Sequence, residues 1–439
     1  MDLYLWAHRR CNNTIVAWLS RKRRGLSIFL LASVLLGCGG QSSVDNKAQA
    51  VTILGLVQNE QQEKLEAALR PFEERTGIVI EYEGRFDFAS VLPARVAAGN
   101  PPDIAMFPQP ALIEEFALSG DLVPLSFLDD ESLQRAYSDS WLDLVAVDGM
   151  PYGIWYRASV KSLVWYRPTA FKENNYDVPK SWDAMIELSN TIVDDGDIPW
   201  CIGLQNDDAS GWPGTDWIED ILLRTARPQI YDQIVARETP FASSQMLRAF
   251  ELFGDILSQP PYTEGGALGT VTTDFLSSPL GLFDEPPSCY MHRQANFISS
   301  FFPENKQPTE DYDAFLLPPI DPQFGAPVLI GGDAFSMFND TPAARQFIAY
   351  INTPEPHEIW AGLGGYISPR KDVPASTYTD PVNRKAAQLL SEANVVRFDL
   401  SDSIPPSVRD QFWQGMIDFA AGKPAEEVTQ SIDEAWPQP

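Results

Sequence analysis

The sequence predicts an α/β fold divided into two lobes, and three observations predict it. At 439 residues the chain exceeds the roughly 250–300 residues at which one hydrophobic core stops growing. Residues 51–107 show a β-α-β-α-β succession, the mark of a mainly parallel sheet covered by helices. An apolar, Gly-rich run, Pro327 to Phe338, comes much later, as if the chain leaves one lobe and returns to it. With 44% hydrophobic and 11% aromatic residues the composition is globular and rich in flat rings.

Val51-Thr52-Ile53-Leu54-Gly55-Leu56 is apolar and β-branched and reads as a buried parallel strand. Asn59 and Gln62 resemble a capping box, Leu65, Leu69 and Phe72 share a helical face, and Gly77 ends that helix. Ile78 to Glu83 alternates as a second strand, Ala89 to Ala98 is helical, and Asp103 to Phe107 is a third strand. Gly149 to Ile154 and Ser162 to Tyr166 read as strands carrying the chain out of the first lobe. Ser181 caps a helix beginning at Trp182, Asp216 to Thr225 is helical, and Thr341 caps a helix running to Tyr350.

The N-terminus carries an export pattern: Arg21-Lys22-Arg23-Arg24, an apolar run from Leu26 to Leu36, and then Gly37-Cys38. The run is shorter than the roughly 20 residues of a membrane-spanning helix. The ending is similar to a lipobox, with Cys38 as the acylated residue, although Leu36 departs from the usual smaller residue. The alternative is a simple N-terminal membrane anchor. Residues 1–37 are thus expected to be a lipoprotein signal and 38–50 a small, polar tether. The expected lobes are 51–155 with 329–375, and 156–328 with 376–439. The formal charge of −28 argues against a nucleic-acid partner, which needs clustered cations, and suits a neutral or cationic ligand. Cys201 and Cys289 remain in the exported part, where an even pair reads first as a disulfide; the alternative is a Cys289 thiol activated by His292.

The order of motifs resembles a known family. Asn100-Pro101-Pro102-Asp103-Ile104-Ala105, Asp148 to Ile154 and Leu163 to Tyr166 occur in the order seen in extracellular solute-binding proteins (family 1) of carbohydrate ABC importers. Pro199 to Gly203, Ser210 to Asp220 and Pro286 to Ala295 are similar to the α-glucoside-binding subgroup, which takes sucrose, trehalose, maltose-like disaccharides or glucosylglycerol. The resemblance implies a type II periplasmic-binding-protein fold, with a sugar held in the cleft between lobes. It also implies a permease pair as partner, a lipid-anchored extracytoplasmic location, a monomer, and neither cofactor, metal nor catalysis.

Sugars are held by bidentate polar groups on their hydroxyls and by aromatic rings on their C–H faces, so candidates are polar and aromatic residues near strand C-termini. Glu60 follows the first strand and is either a cleft residue or a solvated acid favoured by the helix dipole. Arg85 and Asp87 follow the second strand, and Gln109 sits between prolines after the third. Trp155 and Tyr156 lie at the first crossing and either stack on sugar or pack in the core. Trp212, Asp216 and Trp217 occupy a Gly- and Pro-bearing segment, with Asp216 otherwise a helix cap. His292, Arg293 and Gln294 form a hydrogen-bonding group or a structural network. Asp333, beside two glycines, and Tyr366 complete the set. The competing functional classes are a secreted glycoside-active enzyme and a surface sensor or adhesion module. The His-Glu-x-x-His, Walker and Gly-x-Ser-x-Gly signatures are missing from the sequence.

Overall fold

The computed structural model describes residues 49–259 and 261–437; the export signal, Cys38 and nearly all of the expected tether lie outside them. In chain order the strands are β1 (Ala50–Gly55), β2 (Val79–Gly84), β3 (Ile104–Phe107), β4 (Ala146–Val147), β5 (Met150–Pro151), β6 (Gly153–Val160), β7 (Leu163–Tyr166), β8 (Met291–Arg293), β9 (Asp313–Leu316), β10 (Val328–Met337) and β11 (Val396–Phe398). Ala50, expected in the tether, opens β1 and pairs with Val79.

The larger sheet runs β11-β10-β3-β1-β2, with β6 on β10. Its β1–β2, β1–β3 and β10–β11 pairs are parallel. β10 meets β3 and β6 antiparallel, because it arrives from the far lobe in the opposite sense. The smaller sheet, β8-β7-β9, is antiparallel throughout, where mainly parallel pairing was expected. The chain reaches β8 from β7 only after a long helical excursion, Pro168–Asn174 to Gly266–Thr272, and comes back beside β7 in the opposite sense.

Local chemistry accounts for most helix limits. Helix Asn59–Thr76 buries Leu65, Leu69 and Phe72 and ends at Gly77, whose φ of 70° suits glycine, with its N–H donating to the Glu73 carbonyl (2.8 Å). Its N-cap is Gln58 and has no side-chain cap bond, so the expected Asn59–Gln62 box does not form. Ser181 and Thr341 do cap, accepting from Ala184 N–H (3.2 Å) and Ala344 N–H (3.1 Å). The helix expected from Asp216 begins a turn earlier, at Trp212.

Two hydrophobic cores form, the first reaching from the larger sheet to Leu163, Trp165 and Ala314 of the smaller one. One holds β1, β3 and the helices around them, including Leu65, Phe72, Phe107 and Phe347. The other is built from Trp217, Phe250, Phe253 and Phe412 on helices Trp212–Thr225, Ser244–Ser258 and Pro406–Ala420. The expected lobe limits at 155 and 328 fall inside elements, β6 and β10. The whole of β6 pairs with β10, so position 155 is mid-strand; β11, expected with the second lobe, extends the large sheet, and Val382 and Ala386 pack on the first core. The Cys201–Cys289 disulfide closes a separation of 88 residues, with Cα atoms 5.4 Å apart.

Candidate functional site

Where the ends of β1 and β3 face the start of helix Trp212–Thr225 lies a cleft of about 1000 Å³, counting space open to solvent. Its first wall comes from the ends of β1 and β3 and the start of helix Phe88–Ala97: Leu56, Gln58, Gln61, Phe86, Phe88 and Gln109. Its second wall is Asn206, Ala209, Trp212, Phe275, Phe297, Phe301 and Trp413. Its floor is Arg157, Lys161, Gly331, Gly332, Asp333 and Asp399, at the passages between lobes.

Gly211 builds the second wall. Its φ of 105° lies in the left-handed region and starts the helix at Trp212, and a Cβ there would run into the Trp413 carbonyl. Two indoles, Trp212 and Trp413, therefore line the cleft. Trp212 packs edge-on to Phe275 (5.2 Å) and near Phe297 (6.2 Å), and Arg409 stands over the Trp413 ring (4.7 Å).

The floor charges are internally paired. Arg157 donates to Asp333 (2.5 Å) and to Gln61 Oε1 (2.6 Å). Burial pushes the Asp333 carboxyl up, against the pull of Arg157. Lys161 is bonded to Asp399 and to Asp216 (3.0 Å). Burial works to raise Asp399 too, but the Lys161 charge and hydrogen bond bring it below its usual range. Two polar atoms on opposite walls, by contrast, are buried without a partner: the acceptor Gln109 Oε1 and the donor Trp413 Nε1. Buried polar groups are otherwise nearly always bonded, so this pair suits a molecule bringing hydroxyls, each able to donate and to accept.

Of the fourteen residues read as binding candidates, the structure brings Gln109, Trp212 and Asp333 into the cleft. Glu60 instead pairs with Lys64 (2.6 Å) beside a separate outer pocket. Arg85 and Asp87 pair with each other (2.6 Å), while Phe86 between them faces the cleft. Trp155 is core: its indole N–H donates to the Trp141 carbonyl (2.5 Å), and its ring packs on Trp141 and Phe398. Tyr156 is core among Phe335, Trp360 and Tyr366, and its hydroxyl donates to the Pro356 carbonyl (3.2 Å). Trp217 stacks on Phe253 (5.4 Å) in the second core. Asp216 lies inside its helix, fully buried, so it is no cap.

His292, Arg293 and Gln294 form the structural alternative. His292 Nδ1 bonds the Cys201 carbonyl (2.8 Å), Arg293 pairs with Asp220 (3.0 Å) and Asp216 (3.3 Å), and Gln294 Oε1 accepts from Ala295 N–H (2.8 Å). Burial holds the His292 ring down to about 4, and with Cys289 in the disulfide a Cys/His nucleophile is not formed. Tyr366 bonds the Tyr156 carbonyl and His357 Nδ1 beneath the sheet.

The sequence reading missed Gln61, Arg157, Lys161 and Trp413. A signal existed for two of them. Arg157 and Lys161 interrupt the apolar run from Gly153 to Tyr166, and a charge in a buried strand must have a partner or a task. Trp413 gave none, since it sits in a helix whose other aromatics are core.

His357 yields a prediction. Its Nε2–H donates to the Ile351 carbonyl (3.0 Å), leaving Nδ1 to accept from Ser368 (2.9 Å) or Tyr366 (2.7 Å). Burial, helped by the Arg370 charge, holds its pKa near 3. Above the ordinary value of about 6.5 the ring is neutral in both states; below it only the unfolded chain takes the proton, so stability is lost as pH falls. The buried carboxyl of Asp216, raised by desolvation, acts in the opposite sense, so the comparison must be between variant and parent. From pH 7 to 5 the parent should lose about 2 kcal/mol relative to His357→Gln in urea unfolding. An unchanged difference between the two would contradict this assignment.

The fold and this cleft place the chain in a defined class. Residues 57–358 match the bacterial extracellular solute-binding protein family, and the chain belongs to it: a binding protein acting outside the cytoplasm. It is 48% identical over 408 residues to the osmoprotective compounds-binding protein GgtB of Synechocystis sp., covering 92% of this chain and 97% of that one. It is 39% identical over 405 residues to the alpha-glucosides-binding periplasmic protein AglE of Rhizobium meliloti, covering 89% and 88%. Among solved structures, the solute receptor AcbH aligns with a TM-score of 0.76 at 18% identity, over 88% of this chain and 97% of that one. A chitin oligosaccharide binding protein aligns equally well, at 17% identity, over 88% and 98%. These two speak for the fold.

Proposed function

We propose that this protein captures a small α-glucoside, a disaccharide or a glucosylglycerol-like compound, and delivers it unaltered to the permease of an ABC importer. The observation that carries the reading is a cleft walled by Trp212, Phe275 and Phe297 and lined also by Gln109 and Trp413, whose Oε1 and Nε1 are buried without a partner. Hydroxyls suit the first two, and the C–H faces of a sugar suit the rings. A neutral ligand fits a floor on which Arg157 and Lys161 already have carboxylate partners. The names of GgtB and AglE point to osmoprotective compounds and alpha-glucosides.

Binding without chemistry is supported by the same pairing. A glycosidase needs one carboxyl free to give a proton and another free to attack or to activate water; of the three cleft carboxyls, Asp333 and Asp399 are held by Arg157 and Lys161, and Asp402 stands 3.9 Å from the Lys161 ammonium. Lipid attachment through Cys38 and a monomeric state complete the proposal, with ligand contacts to both walls favouring the closed lobes.

Thermal melting with sucrose, trehalose, maltose and glucosylglycerol tests it. One of the four, at a hundred times its dissociation constant, should stabilise the protein by about 2.7 kcal/mol and be recovered intact. No shift with any α-glucoside, or recovery of cleaved sugar, would refute the reading.

A further inference from the structure

Lys161 is a buried cation where the chain changes lobes. Its N–H donates to the Leu329 carbonyl (2.8 Å), and the Asp399 N–H donates to the Ile330 carbonyl (2.8 Å), so the passages after β6, at the start of β10 and after β11 are knit together at one level. Its stem lies over Gly331, where an added Cβ would stand 2.8 Å from Lys161 Cε. Its ammonium meets Asp399 and Asp216 (3.0 Å), with Asp402 at 3.9 Å. The same ammonium stands 5.4 Å from the centre of the Trp212 ring, and Asp216 is one turn along the helix that Trp212 begins.

This side chain thus touches all three passages and the indole in the cleft wall. With carboxylates already around it, the ammonium is not an open charge for an anionic ligand. Buried ion groups add little net stability, and fixing one arrangement is among the roles they can serve. We infer that Lys161 is a positioning residue for ligand capture, locking the Trp212 indole to the interlobe passages so that ring placement and lobe angle are set together. The inference rests on the α-glucoside reading above. A sugar seated on Trp212 then favours one arrangement of the passages, and lobe closure follows from contact at the ring.

The test uses whichever of sucrose, trehalose, maltose and glucosylglycerol stabilises the parent most. Removing the cation alone would strand its carboxylates, so charge-balanced pairs are needed: K161M/D216N and, should that pair not melt cooperatively, K161M/D399N. The controls are D216N, which lies outside the cleft lining and keeps the ammonium over the ring, and the conservative K161R. Calorimetric titration should show the pair binding at least about tenfold more weakly while melting cooperatively, and small-angle scattering should show the sugar-induced fall in radius of gyration lost. D216N and K161R should stay within about threefold of the parent. A folded pair binding within about twofold of the parent, or D216N alone losing as much as the pair, overturns the inference. If the parent binds none of the four sugars, the α-glucoside reading fails first and takes this inference with it.

Discussion

Trp212→Ala should weaken α-glucoside binding by about 2–3 kcal/mol, roughly 30- to 150-fold, and leave the fold largely intact. The ring is only partly buried and stands in the cleft wall between Phe275 and Phe297, with the Lys161 ammonium nearby. If a sugar face lies on the indole, truncation uncovers on the order of 100 Å² of apolar contact at about 25 cal/mol per Å². Trp212→Phe keeps a smaller ring and should fall between the two. Calorimetric titration checks this directly, and affinity within twofold of the parent for the alanine variant would remove Trp212 from the site. Core replacements such as those at Trp155 or Trp217 would act on stability instead, because those rings have no face in the cleft.

Arg224→Met should cost about 3–5 kcal/mol of folding stability, the range for breaking a buried ion pair by removing one member. Arg224 is fully buried and bonds Asp220 one turn away. Its guanidinium also donates to the Leu317 carbonyl (2.9 Å) and the Pro327 carbonyl (2.9 Å), the residues that bracket the approach to β10. Asp220 in turn accepts from Ser162 (2.7 Å) and Arg293 (3.0 Å), so loss of the guanidinium disturbs a group that pins β7, β8 and the helix at Trp212 together. Methionine fills much of the volume and supplies none of these donors. Urea unfolding reads the effect, and a loss under 1 kcal/mol would show that water replaces the lost bonds.

The opening of the chain was readable because its periods are clean. The strand at Val51, the face Leu65–Leu69–Phe72 and the stop at Gly77 each follow from one local rule, and each is where the pattern put it. The cleft was harder to read, for a physical reason. β6 is buried along its whole length, so Gly153 to Val160 has no polar–apolar alternation to say which of Trp155, Tyr156 and Arg157 faces the cleft. Helix Trp212–Thr225 is buried on every side beyond its first residue, which hides the difference between Trp212 in the cleft and Trp217 in the core. Position after a strand or beside a cysteine pointed to Arg85, Asp87 and His292, yet ion pairs and backbone carbonyls satisfy them. Gln109 was legible as a residue of the cleft wall because prolines fix its loop at a strand end, a local constraint that survives folding.

Titration calorimetry of the intact protein with α-glucosides, followed by recovery of the sugar, tests the central claim most directly. One saturable site per chain and chemically unchanged glucoside is the expected outcome. Absence of saturable uptake for every α-glucoside, or return of hydrolysed sugar, would contradict the account.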